Sequence, residues 1–530
     1  MSESSKKQTF LHGTALLAMS TAIVKIIGAF YSIPLKAIIG DQAFGYYSTA
    51  YEIYTLLLMI STAGLPVAMS RMISQASSLE NYQQVRKIYT TARTIFLTLG
   101  ILGTALMMVF CRQLADFQKQ PNAWVTILAL GPACLLICLM STYRGFFQGQ
   151  SNMKPTSVSQ VLEAAVKLVC GLGFAGLLLW QTTSKAYAAG GAIFGVTMSC
   201  LLSSIYLSRC FRKSYKDLPV GADTADTGKT IAKSLLAIAI PITIGSVGLH
   251  ILTVLETRVY MSQLLEFMSQ GSADLQKGIY NFIQKIFNMP CAFITPITIS
   301  IIPAITSQIT TGDLKDAKAT EESAARVTAL ISMPCAVGLA VLAEPVTALL
   351  GGYTGENLAL ATNLMRVLGI CIIFNATVLL TNAIMQAHGH VNLPVVNMFI
   401  GGFLKLAAIA ILTGNKHIGI LGTPIGSLLC YLSITILNVF TVRRVLTDPP
   451  AIVKNMLRGF FAAAIMGVGT FGAWYGLKYI GIGSNLILCA APIMVGVVLY
   501  VIAAVKLKAI TREDCLLLPK GKKIADLLHL

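Results

Sequence analysis

Apolar residues run along this chain in stretches of about twenty, with polar residues confined to the short segments between them. A helix rises about 1.5 Å per residue, so each such stretch is long enough for the roughly 30 Å hydrocarbon core of a bilayer. Fourteen stretches qualify: 10–32, 46–70, 89–110, 123–143, 157–180, 187–207, 234–261, 279–307, 327–350, 358–385, 393–413, 417–442, 459–477 and 485–505. The pattern predicts an all-α polytopic membrane protein with 14 transmembrane helices. Little chain is left for a soluble domain. The longest internal connector, about 208–233, opens on Arg209, Arg212, Lys213 and Lys216 and continues into a Gly/Asp/Thr stretch.

Composition narrows the picture further. Of 530 residues, 55% are hydrophobic and 12% charged, about half the charged share of a soluble domain. A soluble enzyme or a nucleic-acid-binding domain is thereby excluded, despite a net charge of +18. The charge reads as topology instead. With the N-terminus inside, Lys and Arg gather in the inside connectors and are sparse outside, as the positive-inside rule requires. An even number of crossings then returns the basic tail, Lys520–Lys523, to the same side. The expected topology crosses the membrane many times, with both termini cytoplasmic. The first apolar run follows Lys6 and Lys7, as in a signal peptide, but it contains Lys25, exceeds 20 residues and lacks a cleavage site. It reads as an uncleaved first helix.

Nothing in the sequence calls for a metal or cofactor. Most of the twelve cysteines lie inside apolar runs and no C-x-x-C occurs, so they read as small core residues. His388 and His390 are the only close histidine pair and lack further ligands, which makes them a loop feature.

The chain also matches itself. At an offset of 238, Gly131, Gln148 and Lys167 coincide with Gly369, Gln386 and Lys405; a weaker match, one residue out of that register, sets Leu65-Pro66 on Ile302-Pro303. Six crossings preserve orientation, so the match implies two parallel-repeat six-helix lobes plus two C-terminal helices. The expected organisation is an N-lobe over 1–214, a cytoplasmic connector over 215–233 and a C-lobe over 234–447. A helix pair over 448–510 and a cytoplasmic tail over 511–530 follow. Two facing lobes suit alternating access.

Charges inside apolar spans are costly, about 2.5–3.5 kcal/mol at mid-membrane, and need a reason. Thr21, Lys25, Gly28 and Ser32 form one stripe on the first span; Glu52 lies on the second. On the seventh, Ser246, His250, Thr253, Glu256 and Tyr260 share a face near Arg258, and the eighth carries Asn281, Lys285 and Asn288. Glu163 and Lys167, four apart on the fifth span, are expected to pair locally. Lys25 and Lys285 have no acidic residue three or four positions away, so they are read as cavity residues that bind an anion. Glu256, with Thr253, is the best candidate for ion coupling. No G-x-x-x-x-G-K-[ST] is present, which speaks against nucleotide hydrolysis.

Two stretches carry a family resemblance. One is Tyr51–Ser74, with S-T-A-G-L-P-V-A-M-S at 61–70; the other is Tyr143–Leu168, with Q-G-Q-S-N-M-K-P at 148–155. Both resemble the SpoVB/MurJ-type polysaccharide and lipid-linked oligosaccharide (lipid II) flippases of the multidrug/oligosaccharidyl-lipid/polysaccharide (MOP) exporter superfamily. The resemblance implies a cavity lined by the first, second, seventh and eighth spans, and a hydrophobic groove at the last two for a polyprenyl tail. It sets Lys25 on a first-span arginine and Lys285 on a basic residue before the eighth-span proline, here Pro290. Tyr31 and Leu58 fall near two further arginines, so the basic site is thinner here.

The leading expectation is a flippase, not an enzyme, that moves an undecaprenyl-pyrophosphate-linked saccharide outward across a bacterial inner (cell) membrane, with the lipid II peptidoglycan precursor favoured. Its partners would be that anionic lipid-linked saccharide, membrane lipid and a coupling cation, proton or sodium. The substrate contacts would be Lys25, Lys285, Arg258, Glu52, Thr21, Tyr31, Asn281 and Asn288. Two alternatives stand beside it: a cation-coupled multidrug (MATE-like) exporter, which should favour acidic cavity residues, and a membrane-embedded glycosyltransferase or polymerase, which should carry carboxylates on a long outer loop.

Overall fold

The first two apolar stretches form one helix, α1 (Glu3–Thr62), bent at Gly40, whose φ of 77° lies in the left-handed region open to glycine. Sequence reading placed a connector over 33–45. Instead the backbone stays helical through Pro34 and breaks its geometry only at Gly40, where Lys36 and Asp41 pair at 3.5 Å across the bend. The structure, a computed structural model, describes residues 3–219, 225–509 and 511. Side chains of residues 3–19, of Thr21, Lys25 and some others in α1, and of some in later helices, Ser246 among them, lie outside that description, as do residues 512–530 with the basic tail.

The helices that follow are α2 (Leu65–Ser78), α3 (Tyr82–Val109), α4 (Cys111–Phe117), α5 (Trp124–Gly149), α6 (Lys154–Thr182), α7 (Lys185–Lys216) and α8 (Gly228–Leu264). Then come α9 (Gln270–Thr310), α10 (Leu314–Val341), α11 (Ala343–Gly351), α12 (Gly355–Ala387), α13 (Asn392–Thr413), α14 (Gly422–Val445), α15 (Ile452–Tyr479) and α16 (Asn485–Lys506). Local sequence explains the boundaries: Asn81 caps α3 by accepting from the Gln84 amide, and Pro66 and Pro155 open α2 and α6 where the missing amide costs nothing. Among the described residues there is no strand, and 11 helices are long and apolar enough to cross a membrane. The other three expected crossings fall on the first part of α1, on α8 and on α9, which contain residues outside the described set. Two expected spans are interrupted: the second ends at Thr62 before α2, and the ninth breaks at Leu342 between α10 and α11.

The chain forms two compact units, residues 1–281 and 282–530. In the first, α5 packs on α3 and α7, and α6 packs on α7; α1 and α2 complete the unit together with α8, which lies on α1, α2 and α3. In the second, α12 packs on α10 and α14, and α13 packs on α14, while α15 and α16 pack on each other and on α10 and α11. The neighbour pattern α3–α5–α7–α6 thus recurs as α10–α12–α14–α13. The repeat glycines serve the same joint in each: Gly131 faces Met107 and Met108 of α3, and Gly369 faces Ala336 and Ala340 of α10, with no room for a Cβ without a shift.

Candidate functional site

Among the described residues, a polar cavity and a buried ionic network in the first unit and an apolar groove in the second are placed to hold a ligand or a charge.

The polar cavity measures about 320 Å³ and is walled by α1, α5 and α6. Gln160, Glu163 and Lys167 reach it together because positions three and four apart share a helix face. Glu163 accepts from the Arg144 guanidinium at 2.9 Å, and Arg144 Nε donates to Ser159 Oγ at 3.1 Å. The local Glu163–Lys167 pair expected from spacing does not form. A guanidinium offers Glu163 a planar, directional partner that a flexible ammonium does not. Lys167 instead lies over two aromatic rings, 5.3 Å from the Tyr31 centroid and 4.6 Å from that of Tyr51. These are cation–π distances. Tyr31, a candidate from sequence, is buried and its hydroxyl donates to the Ala192 carbonyl at 3.4 Å.

The ionic network joins α1, the turn ahead of α5, α8 and the start of α9. Thr49, Gln120, Asp274 and Lys277 all have 0% exposure. Lys277 donates to the Thr49 hydroxyl, and Thr49 donates to Gln120 Oε1. Gln120 Nε2 donates to Asp274 Oδ1 at 2.9 Å, and Tyr46 donates to the other carboxylate oxygen at 3.0 Å. Glu52, 3.9 Å from the Lys277 ammonium, accepts from Thr257 at 2.8 Å. A fully buried lysine survives because a carboxylate and a hydroxyl meet it.

Sequence reasoning found Glu52 but missed Lys277, Asp274 and Gln120. They sit in or beside connectors, where charge is ordinary. The usable signal was the i, i+3, i+6 spacing of Tyr46, Thr49 and Glu52 on one helix, opposite an Asp–Lys pair three apart.

The remaining sequence candidates are distributed as follows. Lys25 and Thr21 lie outside the described side chains. Arg258 does not pair with Glu256: it donates to the Phe117 carbonyl at 2.6 Å and lies over that ring. Glu256 is buried and accepts from Tyr280 at 3.4 Å, whereas Thr253 is exposed. Asn281 is buried, and its amide nitrogen has no hydrogen-bond partner among the described residues. In the second unit, Lys285 is half-buried and Asn288 exposed. Among the described residues, no group of three or more His, Cys, Asp or Glu is placed to hold a metal ion.

The groove belongs to the second unit. It encloses about 750 Å³ between α9, α10, α11, α15 and α16, with Met289, Leu339, Leu350, Met466, Ile493 and Tyr500 on its walls. Tyr500 turns its hydroxyl to the Leu330 carbonyl at 2.9 Å, so its ring presents hydrocarbon to the groove. Gly467 and Gly469 do not line it. They sit against Val337 and Leu499 as close helix contacts.

A multi-pass helical membrane fold with an internal repeat, a polar cavity and an apolar groove has known counterparts. The solved structure titled "Lipid II flippase MurJ, inward closed conformation" shares the fold, with TM-score 0.69 at 14% identity over 92% of this chain and 98% of that one. An inward-facing multidrug resistance MATE family transporter of the MOP superfamily follows at TM-score 0.61 and 15% identity, over 80% of this chain and 97% of that one. Residues 10–309 match the polysaccharide biosynthesis protein family, and the chain belongs to that family. Among curated relatives it is 26% identical to stage V sporulation protein B of Bacillus subtilis (strain 168), over 88% of this chain and 91% of the relative. It is 25% identical to the lipid II flippase MurJ of the same organism, over 75% and 76%.

Proposed function

We propose that this protein is a flippase that moves an undecaprenyl-pyrophosphate-linked saccharide across the bacterial inner membrane by alternating access of its two repeat lobes, 1–214 and 234–447. The observation that carries the reading is the apolar groove of about 750 Å³ under α15 and α16, in a family of polysaccharide biosynthesis proteins. A polyprenyl tail kept in such a groove stays out of water, at about 0.8 kcal/mol per CH₂, while the headgroup crosses elsewhere. The helix pair 448–510 is assigned this tail-holding role. Lys25 and Lys285 are assigned to the pyrophosphate as point charges. Glu256 and Thr253 are assigned to a coupling cation, proton or sodium, and the termini to the cytoplasm. Lipid II is the preferred cargo, on the relationship to a protein named for it.

The competing reading, a drug exporter on the same fold, draws on the MATE likeness. It is less favoured because an exporter of cations gains nothing from membrane-embedded lysines. The deciding experiment reconstitutes the purified chain in liposomes and follows fluorescent lipid-linked saccharides and drug cations across the bilayer. Movement of the lipid-linked saccharide supports the proposal, and movement of drug cations alone would falsify it.

A further inference from the structure

The Arg144–Glu163–Lys167 cavity is charged where the fold does not require charge. At the repeat offset of 238, Arg144, Ser159 and Glu163 correspond to Asn382, Asn397 and Gly401. At these three positions the second unit is neutral, whereas Lys167 keeps a lysine counterpart in Lys405. Asn397 donates to Asn438 at 2.9 Å and to Thr441 at 3.3 Å, and Asn438 donates to Asn382 at 2.8 Å. In the first unit, Ser203 donates to the Ser159 carbonyl at 3.2 Å, matching the Asn397–Thr441 contact at that offset. The positions of Arg144 and Glu163 can therefore pack without an ion pair, and placing one there at membrane depth needs another reason.

The cavity contents indicate that reason. Arg144 and Glu163 neutralise each other. Lys167 has no carboxylate within ion-pair distance among the described residues and rests on the faces of Tyr31 and Tyr51, which leaves the site one positive charge in excess. Gln160 adds an amide, held by Ser20 at 3.3 Å. A volume of about 320 Å³ falls at the small end of ligand sites, which span about 300–1,000 Å³. Two ring faces, an excess ammonium and a polar edge together complement one kind of ligand: a sugar ring, apolar on its C–H face and hydroxylated at its edge, that carries an anionic substituent.

We infer that this cavity is a saccharide subsite that takes an anionic sugar unit. Lys167 leaves the tyrosine faces to meet the carboxylate or phosphate, the bared rings receive the sugar's C–H face, and Gln160 with the Arg144–Glu163 pair hydrogen-bonds its hydroxyls. The inference rests on the flippase reading for its biological cargo, but binding is measurable without transport.

The test titrates the detergent-purified full chain with N-acetylmuramic acid, N-acetylglucosamine 1-phosphate, N-acetylglucosamine and inorganic pyrophosphate, following bound ligand by calorimetry. Wild type should bind both anionic sugars more tightly than the neutral sugar or pyrophosphate. Lys167→Gln should weaken the anionic sugars about tenfold, the scale of one lost charge-assisted contact, with the neutral sugar unaffected. The triple change Arg144→Asn, Ser159→Asn and Glu163→Gly places the second unit's neutral residues at these positions; it should fold and lose sugar binding. Failure of wild type to bind either anionic sugar, unchanged binding in Lys167→Gln, or a preference for pyrophosphate over both sugars overturns the subsite. Absence of transport in liposomes alongside intact, Lys167-dependent binding would instead count against the flippase reading alone. Unimpaired melting of both variants is the control for folding.

Discussion

Replacing Lys277 with Met removes one fully buried ammonium and keeps most of its hydrocarbon stem. In the structure that ammonium is 3.9 Å from Glu52 Oε2 and donates to Thr49. At an effective dielectric constant of about 20, charges 4 Å apart attract by about 4 kcal/mol, against which the desolvation of both is set. Breaking a buried pair by deleting one partner costs about 3–5 kcal/mol, because the other charge stays uncompensated. Glu52 keeps 17% side-chain exposure and its Thr257 hydrogen bond, which places Lys277→Met near the low end of that range, at about 3 kcal/mol. Adding Glu52→Gln neutralises the stranded carboxylate. The double variant should recover about 2 kcal/mol relative to the sum of the singles, within the usual range for contacting residues. Denaturant unfolding in mixed micelles, run as a double-mutant cycle at constant pH, measures both quantities. Strict additivity of the two substitutions would refute the pairing, and so would a Lys277→Met variant as stable as wild type.

The other predictions concern transport. Gly338 lines the groove with open space before it, the nearest atom to an added Cβ being the tip of Met466 at 3.9 Å. Gly338→Phe should therefore slow long-chain polyprenyl substrates more than short-chain analogues in liposome assays, whereas Gly467→Leu, which strikes Val337, should impair both equally. Lys25→Ala and Lys285→Ala should each abolish movement of the pyrophosphate-linked substrate with membrane insertion intact; full activity in both would remove the two lysines from the substrate site. Glu256→Gln should make transport insensitive to an imposed proton or sodium gradient, and gradient dependence equal to wild type would exclude Glu256 from coupling.

Hydropathy made the helical fold legible because each crossing must bury about twenty apolar residues, whatever its neighbours do. It did not reveal where helices join or break. Residues 33–45 look like a connector from Pro34, Gly40 and Asp41, yet only Gly40 departs from helical geometry. The two stretches behind the family resemblance turn out to be one joint: Gly145 and Gly149 of α5 lie against Pro66, Met69, Ser70 and Ile73 of α2. Composition alone cannot show that two motifs 70 residues apart are one surface. Site residues were harder still. The i, i+4 rule gave Lys167 to Glu163 because it sees one helix at a time, and the winning partner, Arg144, comes from another. Lys277 was passed over since a lysine at the head of a span looks like interfacial anchoring, although its side chain is wholly enclosed.

The placement of polar and apolar space bears on how an amphiphile could be handled by this fold. A lipid-linked saccharide presents two surfaces that no single environment solvates: a hydrocarbon chain gains by leaving water, and an anionic glycan loses its hydration wherever protein does not replace it. The repeat would by default give two like lobes, and in packing it does, down to the glycines at the α3–α5 and α10–α12 joints. In chemistry it does not. The first unit places an Arg144–Glu163 ion pair at its joint, whereas the second fills those positions with Asn382 and Gly401 and opens an apolar groove against the helix pair beyond the repeat. Duplication accounts for the likeness; the divergence has to be maintained against its cost. For Arg144 and Glu163, each charge would be expensive if stranded at membrane depth. A device that meets sugars in one unit and hydrocarbon in the other supplies a reason for that cost, and a drug exporter, whose cargo carries its apolar and charged parts in one small body, does not.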